Sequence, residues 1–235
     1  MTFPPLPLPI LYQDEHLVAI NKPHGLLVHR SPTAADATEF ALQQLRDQLQ
    51  RKVYLVHRID RKTSGVLLFA LSPEINATVG KAFADRTVRK TYLAIVRGWI
   101  PHDEDIIDYA LTNEAGKPQE ASTRYRCLQR VEVEVPYGRY QTSRYTLVEA
   151  YPETGRMHQI RRHMNHIRYP IVGDRPYGCS KQNKLWKHRW QMHDMMLHAR
   201  SLILAHPVTK EEITVVAPVS SEMQRVMEIL DITYK

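Results

Sequence analysis

The residues best able to do chemistry lie in His57-Arg58-Ile59-Asp60-Arg61-Lys62-Thr63-Ser64-Gly65, where one carboxylate stands among cations. Arg58, Arg61 and Lys62 favour the ionised form of Asp60, which suits it to act as a nucleophile or ion-pair acceptor rather than a proton donor. The alternative is a structural ion pair in a turn closed by Thr63, Ser64 and Gly65. A second concentration of charge holds Arg156, Arg161, Arg162 and Arg168 with His158, His163 and His166, and no acid follows Arg156 until Asp174. Such density is what phosphate neutralisation requires, and arginine adds bidentate hydrogen bonding and stacking. Met157, Ile160 and Met164 are spaced as the inner stripe of a helix, so Arg161, which falls close to Met164 on that helix, is expected at its buried edge. A guanidinium there calls for a carboxylate, and Asp60 is the candidate. A solvated basic face is the plainer alternative. Tyr92 follows Arg89-Lys90 on an apolar strand; a strand tyrosine usually serves a core, yet its ring could also cover a flat ligand.

Other chemistries fit poorly. His158 and His163 lack the spacing and the adjacent glutamate of a zinc helix, and His57 with Asp60 supplies only two ligands. No glycine-rich phosphate loop or dinucleotide fingerprint is present. Ser64 has His57 and Asp60 nearby but no nucleophile elbow. LWKHRWQMH at 185–193 could form a stacking and phosphate-contacting surface; the alternative is an exposed linker whose Trp186 and Trp190 pack on the core.

The elements that must position these residues can be read from periodicity. Two short strands flank the Asp14–Glu15 turn, the second running Leu17 to Ile20 and stopped by Asn21-Lys22-Pro23. An amphipathic helix spans Thr38 to Gln50. The Asp60 motif sits between the brief apolar run Val53–Val56 and the buried-looking strand VLLFAL at 66–71, where a rigid scaffold can present a loop. A helix capped by Ser72, with Pro73 at its first turn, runs to about Asp85. Thr91–Val96 is strand-like, and PHDEDIIDYAL reads as acidic and solvent-facing. Further strands fit YRCLQRVEVE, TSRYTLVEAYP, MLHARSLILAHP and EEITVVAPVS. The stretch after Gly155 is helical, as is Ser221–Leu230. This inventory is mixed α+β with a strand majority and no regular strand–helix repeat, which argues against a doubly wound nucleotide fold.

Composition sets the bounds. The 235 residues carry a net charge of +7 and are 43% hydrophobic, enough for a sizeable core with a leaning toward a polyanionic partner. Residues 1–9 form a Pro-rich arm and residues 10–235 are expected to form a single domain. No apolar run approaches the roughly 20 residues of a membrane span and no signal peptide is evident, so the expected setting is cytoplasmic without a membrane. Cys127 and Cys179 are read as packing residues, and a monomer is expected.

Three separated motifs in order, HRIDRKTSG at 57–65, RKTYLAIVRG at 89–98 and GRMHQIRRHM at 155–164, resemble the pseudouridine synthases of the ribosomal large-subunit synthase A family. The resemblance runs from Ile10 to about Val219 and includes NKPHGLLVH, PIVGDRPYG and LHARSLILAHP. Ile59 replaces the leucine often found in the first motif, a conservative change. VHRS at 28–31, GRYQTSRYTLVE at 138–149 and the doubled arginine of HQIRRH are most similar to the branch that acts on tRNA, at uridine 65 on the acceptor-stem side of the T arm.

The resemblance implies an α+β fold with a mixed, mainly antiparallel sheet, flanking helices and a central RNA-binding cleft, lacking the extra N-terminal RNA-binding module of some relatives. It implies isomerisation of uridine to pseudouridine without a cofactor or metal. Asp60 would be the catalytic aspartate, Tyr92 the ring stacked on the uracil and Arg161 the cation paired with Asp60. Arg58 would take the place of the flipped nucleotide or hold its phosphate. Arg156, Arg162 and His163 are expected RNA contacts. Ribosomal RNA is the alternative substrate, and a noncatalytic RNA-binding protein the alternative class.

Overall fold

The computed structural model describes residues 6–30 and 39–234. The first five residues of the Pro-rich arm, Ser31 of the VHRS motif and the expected helix start at Thr38 lie outside the described residues. The chain divides into two compact units, Met1–Arg89 with Ala199–Pro218, and Lys90–His198 with Val219–Lys235.

In the first unit, β1 (Ile10–Gln13) and β2 (Leu17–Lys22) form an antiparallel hairpin. Its turn is fixed by Asp14, whose Oδ1 accepts the N–H groups of His16 and Leu17, each at 2.7 Å. β2 continues two residues past the expected stop because Asn21 and Lys22 pair with Val66 and Gly65 of β4 (Ser64–Ala70). The strand order is β1-β2-β4-β11, with β3 (Tyr54–Leu55) beside β4 and β12 (Glu212–Val216) beside β11 (Leu197–Ala205), the first unit holding β11 from Ala199 onward. Every residue of β4 is buried, which explains its continuous apolar run. Leu17, Ala19, Val66, Leu68 and Ala70 share one core with Val79 of α2 (Pro73–Ala84). Ser72 caps α2 as expected, its Oγ accepting the Ile75 N–H at 3.3 Å, a bond whose loss costs about 1 kcal/mol. Leu8 at the base of the Pro-rich arm is buried, and its backbone is clamped from both sides by Gln48 of α1 (Ala41–Leu49).

The second unit orders its strands β5-β10-β9-β6: β5 (Arg89–Arg97, here from Lys90), β10 (Ser143–Pro152), β9 (Ser122–Val133) and β6 (Glu104–Asp108). The acidic, solvent-facing segment thus contains an edge strand. Its charges obscured the alternation, but Ile107 is buried, and Glu104 and Ile106 pair with Arg126 and Arg124 of β9. A two-stranded ribbon, β7 (Leu111–Thr112) with β8 (Pro118–Gln119), was not visible in the sequence. α3 (Gln159–His166), α4 (Ser180–Trp190) and α5 (Ser221–Ile229) supply Ile160, Met164, Trp186, Met223 and Val226 to a core built on β5 and β10. The expected linker around Trp186 is therefore a helix, and Trp186 is wholly buried, donating its indole N–H to Tyr145 Oη at 3.1 Å. The described architecture is α+β with antiparallel strand pairing in both units.

Two features of the first unit fix the loop that carries Asp60. Lys22 is wholly buried, and its Nζ donates to the carbonyls of Pro23, Leu26 and Arg61 at 2.8, 2.9 and 3.1 Å. One ammonium thereby ties the segment after β2 to the segment before β4. At the start of β4, Gly65 has φ +106°, and a Cβ there would stand 2.1 Å from the Ala199 carbonyl oxygen. Only glycine allows both this backbone and this approach.

Burial pushes the Lys22 ammonium down to about 7, against the favourable charge of Asp60. The folded chain therefore binds this proton more weakly than the unfolded chain, which still holds it between about pH 7 and the ordinary lysine range. Over that window the contribution of Lys22 to stability rises with pH. Urea unfolding across pH 7–10 should show this rise in the wild type, and Lys22→Met should flatten it; identical pH dependence in the two proteins would contradict the assignment.

Candidate active site

The Asp60 loop is short and anchored at each end. Ile59 is buried, Asp60 half-buried and Arg58 exposed. The Thr63 N–H donates to the Asp60 carbonyl at 3.0 Å, closing the turn, and Thr63 and Ser64 are buried where β4 begins. Arg61 turns back on the neighbouring loop: its Nε donates to the Gly25 carbonyl at 3.0 Å, while the Gly25 N–H donates to the Arg61 carbonyl at 2.9 Å. His57 serves the scaffold, its Nε2 accepting the Leu68 N–H at 3.0 Å and its ring stacking on Phe83 with centroids 4.7 Å apart. A base in a Ser64 triad would need that nitrogen free.

Lys22 is the contributor here that the sequence reading missed as anything but a strand stop. The signal was a lysine continuing an apolar strand directly before Pro23, within the NKPHG segment. Its charge acts on Asp60, and its three carbonyl acceptors leave the ammonium no freedom to leave.

In the second unit, the basic segment is sorted by a turn. Gln159 is buried; its Oε1 accepts from Thr154 Oγ1 at 2.6 Å and from the Arg156 N–H at 3.0 Å, and its Nε2 donates to the Ser122 carbonyl and Thr123 Oγ1, both at 2.9 Å. This side chain braces the turn, and His158 takes left-handed backbone angles (φ +54°), so α3 begins at Gln159 rather than just after Gly155. Met157 is accordingly 44% exposed and is not part of the inner stripe. Ile160, Arg161, His163 and Met164 face inward, whereas Arg156 and Arg162 stay half-buried and Arg168 exposed.

His163 is a correction. It was expected to contact RNA, but it is wholly buried, with Nδ1 against Thr123 Oγ1 at 2.9 Å and Nε2 against the Tyr109 carbonyl at 3.0 Å. Burial lowers its proton affinity, and its role is to fasten α3 to β9 and to the end of β6. Arg156 and Arg162 also brace backbone, donating to the carbonyls of Glu120 and Thr112 at 2.9 and 3.0 Å, while part of each guanidinium remains accessible. Tyr92 lies half-buried on β5, opposite Ala150 of β10 and against the core, while Leu93–Val96 beyond it are wholly buried.

Arg161 is 5% exposed and forms a bidentate pair with Asp174, Nε to Oδ2 at 2.8 Å and Nη2 to Oδ1 at 2.9 Å. The Tyr177 ring lies 5.1 Å from the guanidinium carbon, and Tyr177 Oη is 3.1 Å from His158 Nδ1. The expected carboxylate partner was Asp60, on the first unit; within the second unit the partner is Asp174, the first acid after Arg156 in the sequence. The loop holding it is tight. A Cβ on Gly173 would stand 2.1 Å from the Asp194 carbonyl oxygen, one on Gly178 would stand 1.9 Å from that of Asp174, and Asn183 Nδ2 donates to the Asp174 carbonyl at 2.6 Å. The glycines of PIVGDRPYG thus allow the backbone to close around one carboxylate. Asp174→Ala should lower the unfolding free energy by about 3–5 kcal/mol because a buried guanidinium loses its partner. Asp47→Ala, at the exposed Arg46–Asp47 pair, should leave urea unfolding unchanged. Equal behaviour of the two variants would contradict the structural weight given to Asp174.

Residues 16–166 match the family model described as RNA pseudouridylate synthase. The chain is 47% identical over 232 residues to tRNA pseudouridine synthase C of Vibrio parahaemolyticus serotype O3:K6, covering 94% of each chain. It is 46% identical over 231 residues to tRNA pseudouridine synthase C of Haemophilus influenzae, covering 94% of this chain and 96% of that one. Among solved structures, Human RNA Pseudouridylate Synthase Domain Containing 4 matches with a TM-score of 0.75 and 27% identity, over 96% of this chain and 94% of that chain. Human RNA Pseudouridylate Synthase Domain Containing 1 matches with a TM-score of 0.72 at 23% identity, over 99% and 98%, a likeness of fold. With the family model spanning well over half of the chain and near-half identity across almost its whole length, this chain belongs to the RNA pseudouridylate synthases, enzymes that isomerise uridine in RNA to pseudouridine.

Proposed function

We propose that this enzyme acts on tRNA, at uridine 65 on the acceptor-stem side of the T arm, with Asp60 as its catalytic carboxylate. The observation that carries the role of Asp60 is its placement on a turn that a buried ammonium and a glycine close approach hold rigid. The names of the relatives at 46–47% identity support tRNA as the substrate.

The target base must leave its stack to expose the glycosidic bond, at a cost of a few kcal/mol that phosphate contacts offset. Arg58, Arg156 and Arg162 are the cations proposed for those contacts, with Arg58 filling the space of the flipped nucleotide or holding its phosphate. Asp60 then adds to C6 of the uracil or acts at C1′ of the sugar. The bond from C1′ to N1 breaks, the uracil turns, and C1′ bonds to C5. Any bond that Asp60 formed to C6 or C1′ breaks and returns the free carboxylate, C5 gives up its proton to Asp60 or Tyr92, and N1 gains one, so the product is an isomer and no redox partner enters. Tyr92 stacks on the detached ring and keeps it from escaping, and Arg161, fixed in orientation by Asp174, is the cation proposed to steady the Asp60 carboxylate. The enzyme is proposed to work as a cytoplasmic monomer.

Asp60→Asn should bind an unmodified tRNA transcript with near wild-type affinity and salt dependence but lower the rate of pseudouridine formation by more than about 100-fold. Unchanged isomerisation would overturn the assignment. Loss of the folded state on this substitution, measured by thermal unfolding, would instead place Asp60 in the scaffold.

A further inference from the structure

The second unit carries a basic and aromatic surface that the proposed chemistry does not use, built from the exposed face of α4 and the tip of the β9–β10 hairpin. Along α4, Lys181, Lys184 and His188 recur at the spacing of one helical face, with Lys187 beside them, and all four are exposed. The opposite face is spent on the core through Gln182 and Trp186, so the polarity of the helix is sharply divided. No acid occurs between Asp174 and Asp194, and among the described residues none of these lysines is bridged to a carboxylate.

The hairpin tip is folded rather than loose. Tyr137 and Tyr140 exchange backbone hydrogen bonds of 2.9 and 3.1 Å across the Gly138-Arg139 turn, with Gly138 at φ +61°. Val135 is buried at its base, where Ser143 Oγ donates to the Val135 carbonyl at 2.8 Å. Arg97 lies over the Tyr137 ring at 4.9 Å and Arg139 over the Tyr140 ring at 5.2 Å. Tyr140 remains 56% exposed. Glu132 is occupied by Arg144 and Thr142, which leaves Glu134 as the acid nearest the tip in sequence. The tip lies beside the start of α4, where Tyr137 Oη meets Cys179 Sγ at 3.3 Å, two residues before Lys181.

We propose that this surface docks the substrate RNA away from the reacting uridine, with the α4 lysines against the phosphate backbone and Tyr140 stacked on an exposed base or sugar. The charge and the aromatic faces match that occupant. From Lys181 to His188 the helix rises about 10 Å, which spans roughly three phosphates of one strand. A ring held by arginine at a rigid turn is the device by which single-stranded or looped RNA bases are stacked. The tryptophans at 186 and 190 were the aromatic residues that the sequence offered for this role; the structure packs them together, centroids 4.2 Å apart, and supplies the rings from the hairpin instead.

This inference rests on the proposed action on tRNA, and the test separates the two. Binding of an unmodified tRNA transcript is measured across salt concentrations for the wild type, for Lys181→Ala/Lys184→Ala/Lys187→Ala, and for Tyr140→Ala and Tyr140→Phe, with pseudouridine formation by the wild type as the reference. The triple variant should bind about 10–100-fold more weakly near physiological salt, with a slope of log Kd against log salt shallower by roughly two to three. Tyr140→Ala should lose about 5–100-fold, and Tyr140→Phe, which keeps the ring, should stay within about twofold of wild type. All substituted side chains are exposed or half-buried at the surface, so each variant is expected to melt with the wild type. If the wild type binds and modifies the transcript and the variants match its Kd and slope, the surface is overturned while the function stands. A wild type that neither binds nor modifies tRNA removes both.

Discussion

Withdrawing an ammonium group from water is costly unless its donors are matched, and the burial of Lys22 is the constraint around which the loop that carries Asp60 is arranged. Three backbone carbonyls from two chain segments converge on one Nζ. Neither segment can drift without leaving a buried polar group unmatched, so the turn that carries Asp60 inherits the rigidity of the strand β2. Gly65 adds a second restraint of a different kind, a backbone contact too close for any side chain. A carboxylate proposed to meet a uracil or ribose carbon must be held within a fraction of an ångström, and these two devices fix the backbone of its turn.

The second unit solves the converse problem, presenting cations while keeping their helix packed. Within the single turn of α3 that follows Gln159, Arg161 and His163 go inward and Arg162 stays at the surface. Inward cations need partners, and each has one of matching geometry: a bidentate carboxylate for the guanidinium, a hydroxyl and a carbonyl for the imidazole. The clustering of charge in the sequence is therefore two populations, one structural and one facing solvent. The cations proposed for phosphate contact belong to the second.

Periodicity located most of the elements, because β4, β5 and α2 follow the patterns of a buried strand and a capped helix closely. It failed at β6, where an edge strand in water keeps charged residues at positions that a core-facing alternation would make apolar. It also failed at the start of α3, because the left-handed backbone of His158 interrupts the turn after Gly155, which one glutamine side chain braces. Asp60 and Arg161 stand out by local charge, and the motif resemblance implies site roles for them and for Tyr92. Lys22 and Asp174 could not be singled out, since a buried charge is recognised by what surrounds it, and those surroundings are assembled from segments far apart in sequence. Traces of both were present: a lysine completing an apolar strand, and one acid enclosed by two close-packed glycines.

The central claim, that this enzyme makes pseudouridine in the T arm of tRNA, is tested most directly by mapping pseudouridine across all RNA of cells with and without this protein. The account predicts loss of one modified uridine, position 65 of tRNA, and its return when the wild-type chain is restored. An unchanged T arm accompanied by loss in the large ribosomal RNA would contradict it.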